Sequence, residues 1–246
     1  MFLIRLQPIA PLFDAICSLT RIATRADVKF SPTKFCIIVS QISPPFIAAL
    51  QMSPEFFTSF AVDGNHTSRI CLDSLHSILM DGRLYPAMTF HLLENQNRLL
   101  LRFENSRNLP RGRRELDLSP SEEEDVGEID YGNCVSIGSD EFRSIVTKLS
   151  AYFNHRICAT LTDSQVKFSV ANEEIILTKE GGQCLIIAPE RGVETKFEFT
   201  LHPTSFFYDL ADKPGGVWLC KSTDSRNIIC IPFGLNIHHL MYFPQV

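Results

Sequence analysis

Two pairs of adjacent residues have the types that could carry out acid–base or metal chemistry. His238-His239 is the one pair of adjacent histidines in the sequence, and Glu173-Glu174 is a pair of carboxylates next to an apolar run. Neighbouring residues of a strand point to opposite faces of the sheet, so neither pair converges on one metal ion or one substrate. We expect surface or rim histidines at 238–239 and a solvated strand face at 173–174.

The eight cysteines stand singly, at positions 17, 36, 71, 134, 158, 184, 220 and 230. No CxxC pair occurs among them, so a structural zinc site of the usual spacing is not predicted. Single thiols within apolar stretches indicate a reducing compartment, and they behave as small core hydrophobes.

Recognisable catalytic and phosphate-binding motifs are not found in the sequence. GxxxxGK[ST], GxGxxG, HExxH and GxSxG are all missing, and with them the phosphate cradle, zinc helix or nucleophile elbow that each would encode. We therefore expect a protein that is not an enzyme, with no catalytic residue, no metal site and no cofactor. An enzyme with an unrecognised site stays open as an alternative, and it requires catalytic groups that converge in a deep pocket.

The composition is that of a globular protein with a sizeable core. Of 246 residues, 45% are hydrophobic and 21% are charged, and the formal net charge is −5. A chain of this charge is not a simple basic binder of nucleic acid, and no stretch reaches the eighteen or so apolar residues of a membrane span. The amino-terminal segment is read as a strand followed by a helix, with a transit peptide as the alternative. We expect a cytosolic or nuclear protein.

One segment, residues 105–131, departs from the rest of the chain. It contains four arginines and eight acidic residues, including Glu122-Glu123-Glu124-Asp125, and it is punctuated by Pro110, Gly112, Pro120 and Gly127. A long polar link near the midpoint predicts two domains. We place them at 1–104 and 132–246, joined by this acidic linker.

The two predicted domains repeat one pattern at an offset of about 130 residues. Each has two amphipathic segments of helical period, with polar residues available as caps at Asp73 or Ser74 and at Thr204 and Ser205. The apolar stripes are Leu12, Ile16, Leu19 and Ile22; Leu72, Leu75, Ile78 and Leu79; Phe142, Ile145, Val146 and Leu149; and Phe206, Phe207 and Leu210.

Short strands surround these helices in both halves. Two hairpins are predicted, across Ser31–Lys34 and across Thr162–Gln165, and further strands are centred on residues 90, 101, 198 and 230. The expected fold class is α+β, with two similar domains that each pack two helices on antiparallel sheet.

Several stretches resemble the sliding-clamp superfamily over nearly the whole chain. They are Met1–Leu6, Leu99–Glu104, Phe30–Phe35, Pro54–Phe60 with Val62–Gly64, Asn154–Thr178 and Leu240–Pro244. Within that superfamily the run Phe30–Phe35, the Phe56-Phe57-x-x-Phe60 segment and Asn154–Thr178 are most similar to the Hus-one subunit of the heterotrimeric 9-1-1 checkpoint clamp. The acidic run of the linker is more similar to a replication clamp.

The resemblance implies a nuclear, non-catalytic ring subunit that encircles double-stranded DNA. Its partners would be two other clamp-fold subunits, a clamp loader, and repair or signalling proteins that dock beneath the linker, with no membrane involved. Helices line the hole in such rings, and Arg21 and Arg25 are expected on the polar face of the first helix. The full set of basic residues expected to face DNA is Arg21, Arg25, Arg83, Arg143, Lys148 and Lys213. A single subunit with so thin a positive lining would hold DNA weakly.

Ring closure in clamps uses sheet edges, and two segments have the pattern of half-buried edge strands. Leu116 and Leu118 alternate with charges in residues 113–118, and an apolar run follows the two glutamates at 173–179. The expected interface residues are Arg114, Leu116, Leu118, Glu174, Ile175, Ile176 and Leu177. An interior strand of a monomer is the alternative for both segments.

Two hypotheses remain beside the checkpoint clamp. A divergent homotrimeric replication clamp would serve as a processivity factor for polymerases. Phosphorylation of Ser119 or Ser121, which flank Pro120, would add about −1.5 to −2 charge at each site.

Overall fold

The structure is a computed structural model that describes residues 2–42, 45–93, 97–105, 107, 110–121, 126–187, 193–213, 215–234 and 236–244. Within these residues the chain forms four α-helices and eighteen strands in antiparallel sheets, so the fold class is α+β. It divides into two compact units. Unit 1 is Met1–Ser40, Ala49–Glu124 and Gly234–His238, and unit 2 is Gln41–Ala48, Asp125–Phe233 and His239–Val246.

Unit 1 is built from two helices and two sheets. Its elements in chain order are β1 (Phe2–Leu6), α1 (Ala10–Leu19), β2 (Arg25–Ser31), β3 (Lys34–Ile42), β4 (Pro45–Met52), β5 (Ser59–Val62), β6 (His66–Cys71), α2 (Leu72–Gly82), β7 (Ala87–Leu93), β8 (Arg98–Glu104) and β9 (Pro110–Asp117). One sheet has the strand order β5-β1-β7-β8-β9, and the other strands follow the order β4-β3-β2-β6. Residues 45–48 of β4 belong to unit 2.

The unit 1 core is aromatic and lies between sheet and helices. Phe30 and Phe35 face each other at the end of the β2–β3 hairpin with ring centroids 4.8 Å apart, and Phe90 lies 5.8 Å from Phe35. Phe57 packs 6.2 Å from Phe35, which explains the aromatic spacing seen in the sequence. The predicted turn is confirmed, because Ser31 pairs with Lys34 across a two-residue loop.

Unit 2 has the same order of elements. They are β10 (Ile129–Ile137), α3 (Ser139–Leu149), β11 (Ile157–Leu161), β12 (Gln165–Val170), β13 (Glu173–Thr178), β14 (Cys184–Ile187), β15 (Thr195–Phe199), α4 (Thr204–Ala211), β16 (Val217–Ser222), β17 (Asn227–Pro232) and β18 (Ile237–Phe243). The strands follow the orders β14-β10-β16-β17-β18 and β13-β12-β11-β15. Residues 237–238 of β18 belong to unit 1.

The duplication extends to the pairing of strands. Each unit reads strand, helix, five strands, helix, three strands along the described chain. Replacing β1 by β10, β2 by β11 and so on converts both strand orders of unit 1 into those of unit 2. The two units therefore share one topology, as the offset of the apolar pattern predicts.

The helices bury the apolar stripes that define them, but two end positions differ from expectation. Leu12, Ile16 and Leu19 are fully buried on α1, whereas Ile22 lies beyond the helix, which ends at Leu19 with Thr20 as its C-cap. The expected caps Asp73 and Ser74 lie inside α2. That helix follows β6 directly, and the Leu72 N–H donates to the Thr24 carbonyl at 2.8 Å, so a cap side chain is not required there.

The second half shows the same deviation. Thr204 and Ser205 lie inside α4, behind Pro203 at the N-cap, and the Thr204 hydroxyl donates back to the Leu201 carbonyl at 3.1 Å. The predicted α3 is confirmed, since Phe142, Ile145, Val146 and Leu149 are fully buried. Its acidic first turn and Lys148 in its last turn also suit the helix dipole.

The segment read as a linker contains secondary structure of its own. Strand β9 lies within it, and β10 begins at Ile129, two residues before its end. The acidic run Glu122–Asp125 lies outside the described residues.

Candidate functional site

Two strands, β9 of unit 1 and β13 of unit 2, form terminal positions of their sheets. β9 pairs with β8 from Glu104↔Pro110 to Arg98↔Asp117, and β13 pairs with β12 from Val170↔Glu173 to Gln165↔Thr178. In the strand orders of the described residues, neither has a second neighbour. Such an edge leaves one row of backbone N–H and C=O groups available to another strand.

The β9 edge carries both basic and acidic side chains. Arg114 is exposed and its guanidinium lies 3.4 Å from the Asp81 carboxylate of α2. Glu115 forms ion pairs with Arg113 and Arg98. These contacts lower the pKa of the Glu115 carboxyl, and the contact with Arg113 has the largest effect.

The two leucines that were expected at the β9 interface lie differently. Leu116 is only 4% exposed and contributes to the unit 1 core, whereas Leu118 is half-buried just after the strand. Side chains alternate along a strand, so Leu116 packs inward while its neighbours Glu115 and Asp117 are exposed.

The β13 edge carries acidic and apolar side chains. Glu174 is exposed and its carboxylate lies 3.2 Å from the Lys167 ammonium on β12. Ile175 is half-buried, Ile176 is 47% exposed, and Leu177 is 5% exposed. An isoleucine left in solvent on a terminal strand is the strongest sign of an unmade contact on this edge.

A second apolar feature, which the sequence analysis missed, lies beside β9. Met80 on α2 is 38% exposed and Leu84, two residues after that helix ends, is 86% exposed. Neither residue belongs to the buried apolar stripe of Leu72, Leu75 and Leu79. Apolar residues outside that stripe are the one sequence signal that could have predicted this exposed patch. Asp81, which contacts Arg114, ties this end of α2 to the β9 edge.

Each of the two edges has a topological counterpart in the other unit, because β18 corresponds to β9 and β4 to β13. Within unit 2 the rings of Phe46 and Phe243 stack with centroids 5.8 Å apart. Within unit 1 the Ser53 N–H donates to the Asn236 carbonyl at 3.1 Å.

In unit 1, the basic residues expected to face DNA lie in a turn, on a strand and at a helix end. Because α1 ends at Leu19, Arg21 lies in the exposed turn that follows and Arg25 is the first residue of β2, so the helical spacing predicted for them is wrong. Arg83 is exposed at the C-cap of α2.

In unit 2 the basic residues lie on α3 and just after α4. Lys148 is exposed in the last turn of α3, and Arg143 on the same helix forms an ion pair with Asp212. Lys213 is half-buried, with its ammonium 5.2 Å from the centre of the Phe233 ring. The helix faces therefore carry isolated, partly neutralised positive charges.

The histidine pair differs from expectation. His239 is fully buried against the Phe233 ring, with ring centroids 4.7 Å apart, and within the described residues neither ring nitrogen has a hydrogen-bond partner. Burial, helped by the Lys213 charge, lowers the pKa of His239 to about 3. His238 is half-buried, and burial lowers its pKa as well. The expectation of surface histidines is wrong for His239 because β18 is an inner strand of its sheet.

The carboxylate pair Glu173-Glu174 lies exposed, as expected. No group of three or more His, Cys, Asp or Glu side chains in the described parts of the chain is arranged to hold a metal ion. A cavity of about 190 Å³ in unit 2 is bordered by the Arg156–Glu198 ion pair, whose atoms are 2.8 Å apart. Among the described helices, none is both long and apolar enough to cross a membrane.

Comparison with known proteins gives no family. The chain matches no protein-family model and no curated protein.

Proposed function

We propose that this chain is a non-catalytic subunit of a DNA sliding clamp of the 9-1-1 checkpoint type, which encircles DNA in the nucleus and recruits signalling and repair proteins. The observation that carries the proposal is the duplicated topology, in which β9 ends one sheet of unit 1 and β13 ends one sheet of unit 2. The clamp resemblance of the sequence suggests the family, and the repeated topology of the two units supports it.

The terminal strands give the assembly its direction. β9 and β13 end sheets in the two units and carry different side chains. In a ring, the β9 edge would pair with one neighbouring subunit and the β13 edge with the other. Two unlike surfaces that join head to tail generate a ring when the rotation closes. The interface would add Met80 and Leu84 beside β9 and Ile176 on β13.

DNA would be retained by the ring and not by tight contacts. Of the expected basic residues, Arg143 is paired with Asp212 and Lys213 is half-buried. Each phosphate contact contributes a log-affinity slope of about −0.9 against log salt, so few contacts give weak binding. Such a clamp slides because its affinity for any one position is low.

A homotrimeric replication clamp is the second candidate, and one observation favours it. The β9 strand carries exposed Arg113 and Arg114 beside exposed Glu115 and Asp117, whereas β13 carries exposed Glu173 and Glu174, so the arginines of one edge complement the glutamates of the other. Opposite charges on facing edges steer association and fix register.

Light scattering of the purified chain separates the two candidates. A checkpoint subunit is expected to run alone at the chain mass of 27.8 kDa and to form a 1:1:1 complex when two clamp-fold partners are added. A stable trimer of the chain alone would overturn the checkpoint proposal in favour of the replication clamp. Pull-down from nuclear extract, with identification of stoichiometric partners, supplies the partner chains.

A matched pair of variants tests the edge itself. Ile176→Glu places a charge on the β13 edge and is expected to abolish assembly. Leu185→Glu changes a residue that is 57% exposed on β14 and is expected to leave assembly intact. Equal loss in both variants, or loss in neither, would contradict the assignment of β13 as the interface. Retention on circular DNA and release after linearisation then tests whether the assembly encircles DNA.

A further inference from the structure

Ser119, one of the two serines that flank Pro120, is held against the edge of β6. The Ser119 N–H donates to the Arg69 carbonyl at 3.0 Å, and the Arg69 N–H donates to the Ser119 carbonyl at 2.8 Å. This antiparallel bridge forms just after β9 has ended at Asp117. Ser119 and Pro120 are both exposed, so the hydroxyl lies at the protein surface.

The bridge places the Ser119 side chain on the same face as the Arg69 side chain. Directly opposite residues of an antiparallel pair project to one face, with Cβ atoms about 4.5–5.5 Å apart. Arg69 in turn lies opposite Asp27 of β2, and its guanidinium donates to the two carboxylate oxygens at 2.9 and 3.2 Å. Ser119, Arg69 and Asp27 therefore form one row across this face.

On β2 and β6 this face carries three cations and one carboxylate. Residues two apart on a strand share a face, so Arg25 and Lys29 lie on the same face as Asp27. Arg25 is exposed, whereas Lys29 and Arg69 are half-buried. A negative group added to Ser119 would therefore be attracted to this face.

The charges around the second serine are less favourable. Ser121 is half-buried and directly precedes the acidic run Glu122–Asp125, so a phosphate at this position would be repelled by its neighbours in the sequence. The acidic residue nearest to Ser119 in the sequence is Asp117, whose carboxylate lies 3.4 Å from the Arg98 guanidinium. Ser119 is therefore the better of the two positions for a phosphate.

We propose that Ser119 is a phosphorylation site whose phosphate binds the Arg69 guanidinium. Pro120 indicates the class of enzyme, because a proline directly after the acceptor serine is the feature that proline-directed serine kinases select. In the transfer, the Ser119 oxygen attacks the γ-phosphorus of MgATP held by the kinase, the bond from that phosphorus to the β-phosphate oxygen breaks, and ADP leaves. The serine proton passes to a carboxylate of the kinase.

The bridge that holds Ser119 is small enough to open for a kinase. The Ser119 hydroxyl makes one long contact of 3.4 Å with the Arg69 carbonyl, and the bridge itself consists of two backbone hydrogen bonds at the margin of the sheet. Pro120 has no N–H with which to extend the bridge. Exposed backbone hydrogen bonds at such a margin open locally at low cost, so Ser119 can leave β6 and enter a kinase cleft.

The phosphate meets Arg69 when the bridge forms again. A guanidinium has five N–H donors in a fixed fork, and phosphate oxygens are strong acceptors for it. The modification adds about −1.5 to −2 charge on the face that Arg69 shares. Arg69 then links Asp27 to the phosphoserine, which fastens the chain after β9 to β6. This consequence does not depend on whether the chain assembles into a ring.

Treatment of the full chain with a proline-directed kinase and MgATP, followed by phosphopeptide mapping, tests the site. One phosphate is expected on Ser119. Ser119→Ala is expected to remove it, and Ser121→Ala, the matched control, is expected to leave its yield unchanged. A folded chain without phosphate on Ser119, or with phosphate on Ser121 alone, would overturn the proposal.

Titration of the phosphoserine by phosphorus NMR tests the contact with Arg69. A guanidinium beside a phosphate favours the dianion, so the second pKa of the phosphate in the folded protein should be lower by about 0.5 or more than in a phosphorylated peptide of residues 115–125. Arg69→Met, shown to be folded by circular dichroism, is expected to remove most of this difference. Arg102→Met, at an exposed arginine of β8, is the control and should keep it. Equal pKa values in the folded protein and the peptide would show that Arg69 does not bind the phosphate.

Discussion

The two units share one topology but differ in the polar side chains that they bury. Unit 1 uses charge: Arg69 binds the buried Asp27 through two contacts of 2.9 and 3.2 Å, and Arg5 binds Glu104 at 2.8 Å. In unit 2 the sheet buries neutral groups, namely His239 and the thiols of Cys134 and Cys220. The same strand order is thus compatible with buried ion pairs and with buried neutral groups.

The difference shows which property the topology requires. Strand order and apolar stripes recur in both units, whereas the chemistry of individual buried polar residues does not. We therefore expect acid and substitutions to change the stability of the two units differently. We expect assembly to depend only on the sheet edges. Unit-specific measurement is possible because Trp218, the one tryptophan of the sequence, lies in unit 2.

The largest expected effect is the loss of unit 2 stability in acid. His239 has a pKa near 6.5 when unfolded and about 3 when folded, so its neutral form is favoured by folding. The stability is complete above pH 6.5 and falls by about 1.4 kcal/mol per pH unit toward pH 3, about 5 kcal/mol in all. Urea unfolding followed by Trp218 fluorescence measures it. His239→Leu should flatten this slope and His155→Leu, at an exposed histidine, should not; equal slopes in all three proteins would contradict the assignment.

The next effect tests the ion pair of unit 1. Arg69→Met leaves the Asp27 carboxylate buried without its arginine and is expected to lower the free energy of unfolding by about 3 kcal/mol. Arg156→Met breaks an exposed pair, whose side chains are 43% and 40% exposed, and should lower it by less than about 1 kcal/mol. The double variant Asp27→Leu/Arg69→Met should recover part of the loss. Equal losses from the two arginine variants would show that burial of Asp27 is not the cause.

A smaller effect concerns close packing in unit 1. A Cβ added at Gly82 would lie 2.0 Å from the Phe103 ring, which is buried, so Gly82→Ala is expected to lower stability by about 2 kcal/mol. At Gly64 the nearest atom, on Phe2, is 3.8 Å from such a Cβ. Gly64→Ala is therefore the control and should change stability by less than about 0.5 kcal/mol. Chemical denaturation detected by circular dichroism compares them.

The smallest effect on stability belongs to the edge charges. Glu174→Gln removes an exposed ion pair with Lys167 and is expected to change the free energy of unfolding by less than about 0.5 kcal/mol. The same change should weaken association if β13 meets arginines on the neighbouring edge, measured in light scattering as a lower fraction of assembled complex. Unchanged association at low salt would count against pairing of these two edges.

Much of the fold was predictable because local periodicity decides it. The stripe Phe142, Ile145, Val146 and Leu149 is buried as predicted, and the hairpin at Ser31–Lys34 has the predicted turn. Helix ends were not predictable. α1 stops at Leu19 although Ile22 continues its period, and α2 begins where a tertiary backbone contact from Thr24 replaces a cap.

The sites were predictable only where they depend on one strand. The exposure of Glu173 and Glu174 was predictable because both are charged, and both are exposed. The burial of His239 depends on which strands flank β18. Long-range pairing of this kind leaves no local signal.

The division of the chain into units has a consequence for folding. Unit 1 is completed by residues 234–238 and unit 2 by residues 41–48, so each unit includes a segment that is distant in the sequence from the rest of it. Contacts between such distant segments form slowly, because a long loop must close before they are made. Neither unit can therefore complete its fold from one half of the sequence.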